Sequence, residues 1–152
     1  MAVILQPGPA AGQVPPEWLG RWTLNVEKSV YNPGPPPYKR GTFTVEPHGD
    51  QVRVTYDLVR PRGGITHMEW TGRFDGDDYP VHGVEAVVTN AYRRIDDRTF
   101  DVVVKLNGRT TATSRVRISP GGKTMTTVTA GRNAQGQEVT TTTVYEKRPF
   151  LD

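Results

Sequence analysis

From Arg21 onward the chain alternates apolar and polar residues with a period of two, and no window sustains the 3.6-residue spacing of an amphipathic helix. This confines it to antiparallel β structure, where successive side chains point to opposite faces and one face stays wet. Val52, Val54, Tyr56 and Leu58 share one face, with Arg53, Thr55 and Asp57 on the other. Met68, Trp70 and Phe74 alternate with His67, Glu69, Thr71 and Arg73, and Phe100, Val102, Val104 and Leu106 stand opposite Asp101 and Lys105. Ala112, Ser114, Val116 and Ile118 face away from Thr111, Thr113, Arg115 and Arg117.

Turn residues punctuate these runs. Most of the 16 glycines and 13 prolines fall between apolar stretches, as at His48-Gly49-Asp50, Pro61-Arg62-Gly63-Gly64, Asn107-Gly108 and Pro120-Gly121-Gly122. The proline-rich Asn32–Pro37 and residues 75–83 read as loops, and a strand is expected over Val84–Ile95 with Ala86, Val88, Asn90 and Tyr92 on one face. The first strand is expected over Arg21–Lys28 and the last over Glu138–Lys147. Roughly nine strands with short sequential links favour a meander over a Greek key, and closure removes the two long edges that an open meander would expose, which favours a barrel over a sandwich. The expected fold is therefore all-β: an antiparallel up-and-down barrel of about 8–10 strands, with a helical turn at Pro15–Leu19.

At 152 residues there is material for one core. Residues 1–17 read as a Pro/Gly-rich arm and 18–152 as the barrel domain. A net charge of +3 is too mild for a nucleic-acid partner, and no apolar run is long enough for a membrane-inserted helix. Met1–Leu5 lacks the basic flank and length of a signal peptide, so the expected compartment is the cytoplasm, or the exterior after loss of a leader. The absence of cysteine removes disulfides and thiolate chemistry.

Gly20-Arg21-Trp22, preceded by a proline-initiated turn, resembles the G-x-W signature of lipocalins. That resemblance implies a turn plugging the barrel base, an inward Trp22, and a basic residue late in the last strand (Arg148 or Lys147) lying over the indole. The strand opening on Gly20-Arg21-Trp22-Thr23-Leu24-Asn25, the proline-rich loop and the closing Val144-Tyr145-Glu146-Lys147 are also similar to a group of bacterial lipocalin-like proteins. The likeness spans about Pro16–Arg148. The strand count and the lack of a C-terminal helix depart from the eight-stranded lipocalin pattern and leave a ten-stranded fatty-acid-binding type open.

Catalytic motifs give little. Gly121-Gly122-Lys123-Thr124 imitates the tail of a phosphate loop, but Arg117 stands where the leading glycine belongs. Asp77-Asp78 and Asp96-Asp97 are turn formers. His48, His67 and His82 lie on different elements, and the shared face of His67 and Glu69 is the one opposite Met68 and Trp70, so no metal, haem or other cofactor is expected. Ser114 has only His82 as a candidate base. Arg93, Arg115, Arg117 and Lys105 form an outer stripe interrupted by acids.

What remains is the inner face. Mixed large apolar and sparse polar groups suit a pocket for a small, mostly apolar or aromatic molecule. The candidate ligand-binding residues are Tyr56, Met68, Trp70, Asn90, Tyr92, Phe100, Val102 and Ser114, with Tyr31–Tyr38 and Tyr79–His82 framing the mouth. The alternatives are a lumen enzyme of cyclase or isomerase type with Tyr56 or Tyr92 as acid, and a filled barrel acting as an interaction protein.

Overall fold

The computed structural model describes residues 14–133 and 135–148. A 3-10 turn at Pro16–Trp18 leads into ten strands: β1 (Gly20–Asn32), β2 (Arg40–His48), β3 (Gln51–Val59), β4 (Ile65–Gly72), β5 (Asp75–His82), β6 (Val88–Asp96), β7 (Thr99–Leu106), β8 (Arg109–Ile118), β9 (Thr124–Arg132) and β10 (Glu138–Arg148). Each strand pairs antiparallel with the next, and β1 pairs with β10 to close the barrel. Of the expected arm, residues 1–13 lie outside the described residues, while Val14 packs against the core.

Alternation sets the two surfaces. On β3, Val52, Val54 and Leu58 are buried, whereas Asp57 is exposed; on β8, Val116 and Ile118 are buried between exposed Arg115 and Arg117. The outer charges pair across strands: Arg115 makes two bonds to Asp101 at 2.8 and 2.9 Å, and Lys105 Nζ donates to Asp78 at 2.8 Å.

Three expectations change. Residues 75–83 were expected as a loop, but Asp75–His82 form β5, the tenth strand. Its Asp-Gly-Asp-Asp start and Pro80 hide it from any alternation pattern. These residues are tolerated because β5 meets β4 at only two positions, Glu69↔His82 and Trp70↔Val81, and its pairing with β6 is irregular between Asp75 and Asp78. The expected strand start at Val84 gives way to a link, with Glu85, Ala86 and Val87 exposed; pairing begins at Val88. The first strand runs to Asn32 rather than Lys28, across an irregularity between Asn25 and Val30. Side chains fasten that interruption: Ser29 Oγ donates to Asn25 O at 2.7 Å and accepts from Val144 N at 3.0 Å.

Topology gives the barrel two unlike ends. The links after β2, β4, β6 and β8 lie at the end where β1 starts, and those after β1, β3, β5, β7 and β9 lie at the other. The first end is plugged. Gly20 adopts φ +137°, a conformation that side-chain-bearing residues avoid, which turns the chain from the Pro16–Trp18 segment into the wall. Trp22 is fully buried and donates its Nε1 hydrogen to Trp18 O at 3.0 Å; Trp18 Nε1 donates to Asp97 O at 2.9 Å. The cation over Trp22 is Lys147, with Nζ 4.8 Å from the ring centroid and 2.5 Å from Glu17 O, to which it donates. Arg148 instead lies beside Glu146 on the outer face.

Candidate functional site

Above the plug the barrel is hollow. A cavity of about 450 Å3 occupies the half next to the proline-rich link, and its wall is predominantly apolar. A filled interior, one of the sequence alternatives, is not what the chain forms. Leu24, Phe43, Leu58, Met68, Val88 and Val104 supply much of the apolar wall, and Tyr31, Pro37 and Tyr38 stand at its mouth. Five of the six tyrosines in the sequence line this space: Tyr31, Tyr38, Tyr56, Tyr92 and Tyr145.

The floor is a cluster of rings. Trp70 stacks on Tyr92 with centroids 4.3 Å apart, Phe74 lies 4.8 Å from Tyr92, and Trp18 sits 4.9 Å from Phe100. Each such pair contributes about 0.5–1.5 kcal/mol beyond the area it buries. Trp70 Nε1 donates to Asn90 O at 2.9 Å, which pins the floor to β6. Gly72 belongs to the same packing, because a Cβ there would lie 2.5 Å from the Tyr79 ring and 2.8 Å from the Trp70 ring.

Seven of the eight residues chosen from sequence lie on the cavity wall: Tyr56, Met68, Asn90, Tyr92, Phe100, Val102 and Ser114. Trp70 does not. It points inward as its alternation requires, but it is fully buried in the floor beneath the cavity. Of the two segments expected at the mouth, Tyr31–Tyr38 supplies wall residues, whereas Tyr79–His82 is part of β5. Tyr79 packs against Trp70 at 5.5 Å, Val81 lines the cavity, and His82 is exposed.

Alternation within Thr140–Thr143 is invisible in the sequence, since every residue is threonine; in the structure Thr141 and Thr143 line the lumen, and Tyr145 follows on the same face. Thr127 and Thr129 of β9 join them, so the wall formed by β8, β9 and β10 is rich in hydroxyls. Three of these hydroxyls have partners close by. Ser114 Oγ and Thr129 Oγ1 are 2.7 Å apart, and Thr143 Oγ1 donates to Thr127 O at 3.5 Å. His82 and Ser114 are not brought together.

Two polar atoms of β6 are different. Asn90 Oδ1 and Tyr92 Oη are buried and have no hydrogen-bond partner among the described residues. A buried donor or acceptor in that state costs about 1–3 kcal/mol. The other tyrosines register the same dryness. Burial pushes the Tyr145 hydroxyl up to about 12, with the neighbouring Tyr31 and Tyr38 adding to the shift. Burial raises Tyr56 still further, opposed in part by a hydrogen bond from Asn90. Both rings keep some accessible surface and line the lumen.

His67 lies on the outer face, with Nδ1 2.5 Å from Asp57 and Nε2 3.4 Å from Glu69. Among the described residues no three His, Asp or Glu side chains gather as a metal site, and no helix is long and apolar enough to cross a membrane.

With this geometry in view, the barrel compares with one of known structure. It is similar to the crystal structure of zebrafish ileal bile acid-binding protein complexed with cholic acid, with a TM-score of 0.52 over 87% of this chain and 99% of that one. The fold is calycin-like. At 10% identity the likeness reaches the architecture alone. No protein-family model matches the chain, and no curated protein matches it by sequence.

Proposed function

We propose that this calycin-like barrel binds a small, mostly apolar or aromatic molecule inside its lumen. The observation that carries the reading is the largely apolar cavity of about 450 Å3 above a packed floor. A protein that needed only stability would fill such a space, because each missing neighbour forfeits dispersion contacts. Tyr56, Met68, Phe100 and Val102 are assigned as apolar contacts, Asn90, Tyr92 and Ser114 as polar ones, and the Tyr31–Tyr38 segment as the gate. The zebrafish protein, a barrel of similar fold whose crystal structure is a complex with cholic acid, supports the reading. The catalytic alternative draws less support, since among the described residues the lining offers no carboxylate, imidazole or amine, and its tyrosine hydroxyls include two held as very weak acids.

The test is titration with N-phenyl-1-naphthylamine, a neutral dye that brightens in dry surroundings. Saturable brightening is expected for the native chain, with at least a tenfold loss for Thr129→Phe, which fills the lumen without touching the floor. Absence of saturable binding to the native chain, or equal binding by a folded Thr129→Phe, would refute the proposal.

A further inference from the structure

Resting on the lumen-binding reading, we infer that the lumen sorts its guests by charge: it takes uncharged molecules, admits an acid or an amine in its neutral form, and refuses the ion. The chain has 19 Lys and Arg, yet none of those among the described residues lines the cavity, and no described His, Asp or Glu does so either. Residues 1–13, 134 and 149–152 contain no Lys, Arg or His, so no other part of the chain can bring a cationic side chain to an anion. Alternation enforces the exclusion. Lys105 follows the lining residue Val104, and Arg115 stands between the lining residues Ser114 and Val116. The period of two turns both cations outward, onto Asp78 and Asp101. At the mouth, Lys39 and Arg40 follow the lining residue Tyr38, but both are exposed and neither borders the cavity.

What lines the space is neutral. Among the described residues its polar side chains are the hydroxyls of Ser, Thr and Tyr and one amide, that of Asn90. Register sets Ser114, Thr129 and Thr141 side by side across β8, β9 and β10, and Thr127 beside Thr143. Dipoles of this kind suit a neutral hydroxyl, carbonyl or amide, but they carry no net charge. A carboxylate, phosphate or ammonium carried inside would shed its hydration and meet no counter-charge, and a buried ion without one is strongly disfavoured. The lumen imposes the same penalty on its own groups. Burial holds the Tyr56 and Tyr145 hydroxyls in the neutral form well beyond the ordinary phenol range. These two residues stand on β3 and β10, so the penalty is not confined to one strand of the wall.

The experiment displaces N-phenyl-1-naphthylamine from the full chain at neutral pH with three molecules of one ring system and nearly one size: 2-naphthamide, 2-naphthoate and 2-naphthylmethylammonium. The amide is expected to act at concentrations at least about tenfold lower than either ion. A carboxyl of this kind titrates at about 4, so its neutral form becomes more abundant on acidification to about pH 5. Displacement by 2-naphthoate should then strengthen about tenfold or more, while that by the amide stays level. Thr141→Lys, which puts an ammonium on the lumen wall, should improve 2-naphthoate relative to the amide by about tenfold or more; if the variant does not fold, the native-chain comparison decides. An ion that equals or outdoes the amide, a 2-naphthoate affinity that acidification leaves level, or a folded Thr141→Lys with an unchanged ratio would overturn the inference while leaving lumen binding intact. Displacement by none of the three, with the dye bound, would overturn it too, since a neutral guest is then refused along with the ions. If the dye itself does not bind, lumen binding falls and this inference falls with it.

Discussion

The two halves of the barrel are built from the same alternating strands and do opposite things. At the plugged half, Trp18, Trp70, Phe74 and Phe100 fill the bore with rings in contact, and Trp22 is fully buried beside them. At the hollow half, smaller residues such as Val88, Val104, Thr129 and Thr141 line the same bore and do not meet across it. Side-chain volume, not strand pairing, makes the difference, since the ladder runs nearly the length of β3, β7, β8 and β10. One half therefore holds the fold together, and the other holds room.

The contrast breaks most visibly at the floor. Trp70→Ala should cost about 3–5 kcal/mol in urea unfolding, against about 1 kcal/mol for Val104→Ala in the hollow half, where fewer neighbours are lost. Equal costs would erase the distinction between the halves. Gly72→Ala comes next, at about 1–3 kcal/mol, because the new methyl meets the Tyr79 and Trp70 rings and the floor has no slack. A drop in melting temperature checks it, and the double variant with Tyr79→Ala should recover part of the loss.

The dryness of the hollow half is sharpened by alkaline titration. Tyr145 holds its proton to about 12 when folded but near the ordinary phenol value of 10.0 when unfolded. Its contribution to stability is thus complete below pH 10 and is lost as pH rises through about 12. Unfolding midpoints across that window should fall, and Tyr145→Phe should flatten the fall. The smallest effect belongs to the outer surface. The hydrogen bond to Asp57 raises the His67 value above its ordinary 6.5, so the stabilisation is present below pH 6.5 and fades as pH climbs through the folded value. NMR of the imidazole should show the raised midpoint, and Asp57→Asn should return it toward the ordinary range; at so exposed a pair the change in melting temperature should be slight.

How much of this was legible follows from what alternation encodes. It gives the face of a residue and not its depth along the bore. Met68 and Trp70 are two residues apart on one face, yet one walls the cavity and the other floors it, a difference set by register with β3 and β5. The plug was readable because Gly20-Arg21-Trp22 after a proline turn is a local pattern, and Lys147 lies over the indole as that pattern implies. β5 was unreadable because its sequence suits a strand only where partners are few. The threonine wall is unreadable because identical residues cannot alternate, and Tyr145 stands out in the sequence only as part of a closing motif.

The sparse seam between β4 and β5 has a mechanical consequence. Backbone hydrogen bonds resist separation in proportion to their number, and this junction has two paired positions where β8 and β9 have seven. Thermal breathing of the cylinder will concentrate along that line, and amide protons of Thr66–Met68 that face β5 should exchange with deuterium well before those of β7 or β8. The vessel therefore swells like a split ring, widening at one slit while the rest of its circumference keeps its shape.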